Sequence, residues 1–148
     1  MKKKIIWFIG IVVFAICVIA YFKSMPFPDI ADSGNEIQMI LSDFGFENGK
    51  AKNESVKYTN ITAEQKREIS AVLENFKYRR NFKTPFSDGS ISDLGDKLLS
   101  IYVYENDLHS DSVMISSSGK ILVNHKNYIM KDAESFIEQI IDIVEPKD

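Results

Sequence analysis

The hydrophobic pattern of the chain opens on its longest unbroken run, Ile5 to Phe22, eighteen residues without a charge, led by Lys2, Lys3 and Lys4 and closed by Lys23. At about 1.5 Å rise per residue, a helix of that length reaches roughly 27 Å, close to the ~30 Å hydrocarbon core of a bilayer. The leading lysines predict a cytoplasmic N-terminus, and Trp7, Tyr21 and Phe22 stand near the two ends, where amphipathic rings favour the interface. The expectation is an N-terminal transmembrane signal anchor over 1–23, single-pass in the cell membrane, with the C-terminal domain outside. A cleaved signal peptide competes, although Val18-Ile19-Ala20 matches a cleavage site poorly. Cys17 follows Ile16 rather than a small residue, so it reads as a small hydrophobe rather than a lipidation site.

After the run, residues 24–35 carry Pro26, Pro28 and Gly34 and predict a short stalk. Met25, Phe27 and Ile30 could also pack on the domain that follows. Glu36 to Phe44 fits both periods, and the bounding glycines and Asn48-Gly49 favour a strand entering a turn. Lys50 to Ser55 reads as loop and Val56 to Thr59 as a short strand. Thr62 to Phe76 predicts a helix, with Thr62 and Gln65 in capping-box spacing and an apolar stripe of Ile69, Val72, Leu73 and Phe76. Tyr78 to Lys83 reads as extended and Thr84 to Asp96 as an exposed loop. Leu98 to Tyr104 alternates strictly, Glu105 to Asp111 turns the chain, and Ser112 to Ser116 and Lys120 to Asn124 repeat the alternation, which predicts an antiparallel meander. One more short strand is expected through Tyr128 and Met130. Asp132 is expected to cap a closing helix with Phe136, Ile137, Ile140, Ile141 and Val144 on its buried stripe, ended by Pro146.

The pattern therefore predicts an α+β fold: an N-terminal transmembrane helix, then a two-layer domain over 36–148, an antiparallel β-meander with two amphipathic helices on one face. At 148 residues the chain suits a single domain. Its net charge is −3, and the first 23 residues hold no acid, leaving 14 basic against 21 acidic residues beyond them. That balance argues against nucleic acid as a partner. With a single cysteine, the domain must hold together without a disulfide. Abundant lysine over arginine points to a low-GC bacterial source.

The order of features, a lysine-led apolar run, a stalk, the helix Thr62 to Phe76, then Ser-Ile-Tyr-Val-Tyr, Ile-Ser-Ser-Ser-Gly-Lys-Ile-Leu-Val and Tyr128 before a last helix, resembles small exported domains of Firmicutes, the DUF5301-like group. The resemblance covers roughly residues 56–144. It implies an envelope-facing α+β domain and brings no catalytic residues with it. The chain departs from the lipoprotein members in lacking a lipobox.

The densest unusual feature is Lys77-Tyr78-Arg79-Arg80-Asn81-Phe82-Lys83, four cations and two aromatic rings in seven residues of an acidic domain. Arginine forks match phosphate and carboxylate oxygens, so Tyr78, Arg79, Arg80 and Lys83 are candidate binding residues for an anionic polymer, a headgroup or an acidic protein. The plainer reading is a helix end satisfied by cations and an edge strand protected by charge. Tyr102 and Tyr104 lie on the polar face of their strand and form a second candidate contact surface, either exposed or covered by the loop 84–96. His109 and His125 lack partners at metal-ligand spacing, and Asp88, Asp93 and Asp96 do not have the spacing of a calcium loop. Ser116-Ser117-Ser118-Gly119 reads as a hairpin turn rather than a nucleophile. No cofactor, metal or catalytic set is expected.

The function these features suggest is a membrane-anchored, non-enzymatic binding module at the bacterial cell envelope. Its expected partners are the lipid bilayer through residues 5–22 and an envelope protein or anionic polymer. An immunity or inhibitor protein against an exported factor, and a cell-wall hydrolase, stand as alternatives.

Overall fold

The computed structural model describes residues 2–28, 36–47, 50–91, 95–105 and 108–145. It is α+β, as expected, but the sheet is larger than a meander. Among the described residues, eight strands, all paired antiparallel, lie in the order β1 (Met25–Pro26), β4 (Lys77–Arg79), β8 (Lys126–Met130), β7 (Lys120–Val123), β6 (Leu108–Ser116), β5 (Lys97–Glu105), β2 (Glu36–Glu47), β3 (Lys50–Tyr58). The expected meander is present as β5 (Lys97–Glu105), β6 (Leu108–Ser116), β7 (Lys120–Val123) and β8 (Lys126–Met130). The hairpin of β2 (Glu36–Glu47) and β3 (Lys50–Tyr58) extends it on one side. On the other side lie β4 (Lys77–Arg79) and the two-residue β1 (Met25–Pro26).

Alternation sends Ile37, Met39, Leu99, Ile101, Val103, Val113, Ile115 and Ile121 to one face, all buried. The two amphipathic helices cover that face, α2 (Ala63–Asn75) with Ile69 and Leu73 and α3 (Ala133–Val144) with Phe136, Ile137, Ile140 and Val144. The capping box of α2 is formed: the Gln65 amide donates to Thr62 Oγ1 at 3.2 Å and the Thr62 amide to Gln65 Oε1 at 2.9 Å. Gln65 Nε2 also donates to the Ile143 carbonyl at 2.9 Å, so one side chain starts α2 and ties it to α3.

Several expectations are corrected. Lys50 to Ser55 belongs to a strand, not a loop. β3 is an edge strand whose described side chains stand mostly in solvent, so its polar, charged composition protects the edge and hides the strand from a hydrophobic pattern. Part of the expected stalk is built into the domain: Met25 and Pro26 pair with Tyr78 and Lys77, and Phe27 is buried. The turn expected over 105–111 is shorter, because β5 runs to Glu105 and β6 begins at Leu108. Asp132 occupies the N-cap position of α3 but adopts φ 57°, ψ 31° and makes no side-chain cap bond.

The expected membrane span is also overturned, and with it the single-pass topology. Among the described residues, no helix is long and apolar enough to cross a membrane. α1 (Lys2–Tyr21) stops before Phe22, which lies in the turn that follows, so the uncharged helical stretch runs only from Ile5 to Tyr21. At 1.5 Å per residue this stretch rises roughly 26 Å, short of a core of about 30 Å.

The β7–β8 connection carries a testable strain. Asn124 (φ 46°) and His125 (φ 65°) both sit in the left-handed region, the conformation of a tight hairpin turn that favours glycine at the second position. Asn124 is held there, its Oδ1 accepting from the Ser112 amide at 3.0 Å and its Nδ2 donating to Asp111 Oδ1 at 2.6 Å. His125 is exposed. Replacing it with glycine relieves the Cβ penalty and should raise stability by about 0.5–1 kcal/mol in a urea titration. A loss of stability would show that the imidazole makes a contribution larger than the strain.

Candidate functional site

The basic and aromatic stretch begins where α2 ends. Phe76, the C-cap residue, is extended (φ −107°, ψ 152°), and the chain enters β4 directly, so Lys77 to Arg79 are strand residues and no cation lies in the last turn of α2. Strand alternation then divides the cluster. Tyr78 points into the core, where its ring packs 5.1 Å from Phe27 and 4.9 Å from Tyr128, centroid to centroid. Burial, and secondarily the neighbouring Tyr128, push its phenol pKa up, while Arg80 opposes the shift. Of the candidate binding residues, Tyr78 is therefore a core residue. Lys77 and Arg79 are exposed on the other face.

Beyond β4 the chain is turned outward by its own polar groups. Asn81 Oδ1 accepts from the Lys83 amide at 2.8 Å and from Thr84 Oγ1 at 3.2 Å, and the Asn81 amide donates back to Thr84 Oγ1 at 2.9 Å. A single 3-10 turn, Thr84 to Phe86, follows, with Pro85 near its start. Thr84 is buried in this knot, and Phe82 and Phe86 are driven into solvent, 82% and 86% exposed. The end of α1 meets the same place. The Phe22 and Phe82 rings lie 4.8 Å apart, and the Arg80 guanidinium sits 5.3 Å from the centre of the Tyr21 ring. The result is a collar at the foot of α1 in which Arg80 and Phe82 meet Tyr21 and Phe22, with Lys83 and Phe86 following within four residues of Phe82 along the chain. No ion pair to Arg80 or Lys83 is found among the described residues. Above the collar, the large apolar side chains of α1 from Ile5 to Ile19 are exposed.

Tyr102 and Tyr104 are not part of this group. β5 is separated from β4 by β6, β7 and β8, about 19 Å at ~4.8 Å per strand. Both tyrosines are half-buried on the face away from the helices, Tyr102 in register with Gln38 on one side and Ser112 on the other. The loop that follows the collar packs elsewhere, on the β7–β8 hairpin. Ser87 Oγ accepts from the Asn127 amide at 3.0 Å and donates to the His125 carbonyl at 3.1 Å.

The remaining polar candidates have local roles. Asp88 accepts from the Ser90 hydroxyl at 2.7 Å and its amide at 3.0 Å, and these bonds hold its carboxyl below the ordinary range. Ser116 is buried, with its Oγ 2.7 Å from that of Ser118, and Ser117 Oγ accepts from the Asp96 and Lys97 amides at 3.0 and 3.1 Å, so the serine run ties the turn to the start of β5. Among the described residues, no group of three or more metal-ligating side chains is present. The Asp93 side chain and the His109 side chain lie outside the described residues.

The sequence pattern missed the part of the collar that comes from elsewhere in the chain. Tyr21 and Phe22 were absorbed in the apolar run, and Phe86 in a loop defined by Pro, Gly and Ser. A signal was available in Phe82 and Phe86, two large apolar residues in an otherwise polar stretch flanked by Lys83.

No protein-family model, no curated protein and no solved structure matches the chain. The site therefore rests on its own geometry.

Proposed function

We propose that this chain is a non-enzymatic binding module that docks on an anionic lipid surface through the collar at the foot of α1. The observation that carries the reading is that Arg80 and the almost wholly solvent-exposed Phe82 meet the end of α1, with Lys83 and the equally exposed Phe86 next along the chain, on a protein of net negative charge. A lipid interface satisfies both chemistries together: cations meet headgroup phosphates while rings enter the acyl boundary. Each cation near such a surface contributes about 1 kcal/mol, and each buried ring about 1.5–3 kcal/mol. The apolar side chains of α1 adjoin the collar and extend the same contact. The reading concerns adsorption at the surface and invokes no crossing of the bilayer.

The test is co-sedimentation of the full chain with vesicles of phosphatidylcholine alone and with added phosphatidylglycerol. The parent should bind the anionic vesicles more tightly, the difference falling with salt. Arg80→Glu with Lys83→Glu removes roughly 2 kcal/mol of attraction and adds repulsion, so the preference should fall by about 30-fold or more. Retention of the full preference by a folded double variant would eliminate the collar as the docking element.

A further inference from the structure

Beside the collar, a cleft of about 630 Å³ opens along β4 and the end of β8, lined by Lys77, Arg79, Ile129, Lys131 and Asp132 among others. Arg79 and Ile129 are register partners and share a face of the sheet, and Lys77, two residues before Arg79, stands on that face too. Lys131 follows Met130, the partner of Tyr78, and lines the same cleft. Lys77, Arg79 and Lys131 line the cleft together, and Asp132 is the one carboxylate among the described lining residues, so the cleft carries a formal net charge of +2. An anion seated in the cleft would neutralise that excess and accept charge-assisted hydrogen bonds from a guanidinium fork and two ammonium groups. A phosphate group, with its spread of oxygens and a charge near −2, matches both the number of donors and the excess charge.

We propose that this cleft binds a phosphate group. The inference deepens the lipid-surface reading and rests on it for one of two sources of the ligand, since a headgroup phosphodiester, with one charge and two non-bridging oxygens, and a soluble phosphate monoester, with nearly two charges and three, both offer phosphate oxygens to the same donors. It differs from the collar in its residues: Lys77, Arg79 and Lys131 form the cleft, whereas Arg80, Lys83, Phe82 and Phe86 form the docking surface.

The experiment measures the Tm of the full chain in inorganic phosphate and in chloride at equal ionic strength, for the parent, Lys131→Gln and Lys77→Gln. The parent should gain Tm with phosphate beyond its gain in chloride. Each variant should lose that gain while starting from a phosphate-free Tm at or above the parent's, because a neutral side chain lessens the repulsion among the three cations of the cleft. A parent indifferent to phosphate, or variants that both keep the gain, would overturn the proposal. A second arm adds inorganic phosphate to parent bound on phosphatidylglycerol vesicles. Release by phosphate, lost in Lys131→Gln, supports the cleft as the seat of the headgroup. If the parent ignores the vesicles yet keeps its phosphate-specific Tm gain, the lipid-surface reading fails and the cleft stands as a site for soluble phosphate.

Discussion

Phe136→Ala should destabilise the domain by about 3–5 kcal/mol, the largest loss expected from any single truncation in this core. Phe136 is fully buried, and its ring joins three segments that are distant in sequence. It stacks on Phe27 at 5.4 Å with planes 15° apart and meets Phe76 edge-on at 5.2 Å. Removing the ring costs its transfer free energy and leaves a cavity that the α3 backbone, fixed between α2 and the sheet, cannot close. Phe136→Leu keeps much of the volume and should cost only about 1–2 kcal/mol. The Ala variant should also loosen the N-terminal side, since Phe27 follows the two residues of β1, and trypsin should then cleave after Lys23 faster than in the parent. A loss below about 1 kcal/mol in urea titration would mean that Phe27 and Phe76 close over the gap and that the ring cluster is not the keystone described.

That cluster also shows what could be read from the sequence. The stripe of α3 was legible because its 3.6-residue period places Phe136, Ile137, Ile140 and Val144 on one side whatever they pack against. The Thr62–Gln65 box was legible because it is satisfied within four residues. The strict alternation of β5 and the short links to β6 and β7 gave the meander. Pairings between distant segments were hidden, because alternation assigns faces and not neighbours. Nothing in Met25-Pro26 announces a partner in Lys77-Tyr78, and nothing in Glu36 to Asp43 announces β5. β3 was hidden for the opposite reason: an edge strand is satisfied by water on one side and needs little hydrophobicity.

The candidate site divides along the same line. Arg79, Arg80 and Lys83 were visible as a run of charge, but the run is three different environments. Tyr78 is core, Lys77 and Arg79 belong to the cleft, and Arg80 meets Tyr21 at the collar, with Lys83 exposed beyond Phe82. A two-residue period in a three-residue strand, followed at once by the Asn81–Thr84 knot, is what separates them, and that separation allows the collar and the cleft to be tested independently. Tyr102 and Tyr104, read from the sequence as a second surface, lie three intervening strands away from the cluster.

The serine run ends at a residue whose replacement should be almost as costly as that of Phe136. Gly119→Ala is expected to lose about 2–4 kcal/mol, the sum of a left-handed Cβ penalty and a damaged ladder hydrogen bond. Gly119 has φ +86°, and a Cβ there would stand 2.8 Å from the carbonyl oxygen of Met130. The obstacle is main chain, and it cannot retreat. The Met130 amide donates to the Gly119 carbonyl at 2.8 Å, and Met130 is the last residue of β8, in register with Tyr78. A shift at Gly119 therefore displaces the β8 end against β4, the strand that carries Lys77 and Arg79. Thermal unfolding should fall by roughly 10 °C, and the phosphate-dependent gain in Tm should weaken with it. Gly45→Ala supplies the control. That glycine sits in β2 without a positive φ, and among the described residues its added Cβ would meet Asp43 Oδ1 at 4.0 Å and nothing nearer, so the change should be neutral or stabilising by up to about 1 kcal/mol. Equal losses at the two positions would show that the cost comes from replacing glycine in the sheet generally and not from the approach of Gly119 to Met130.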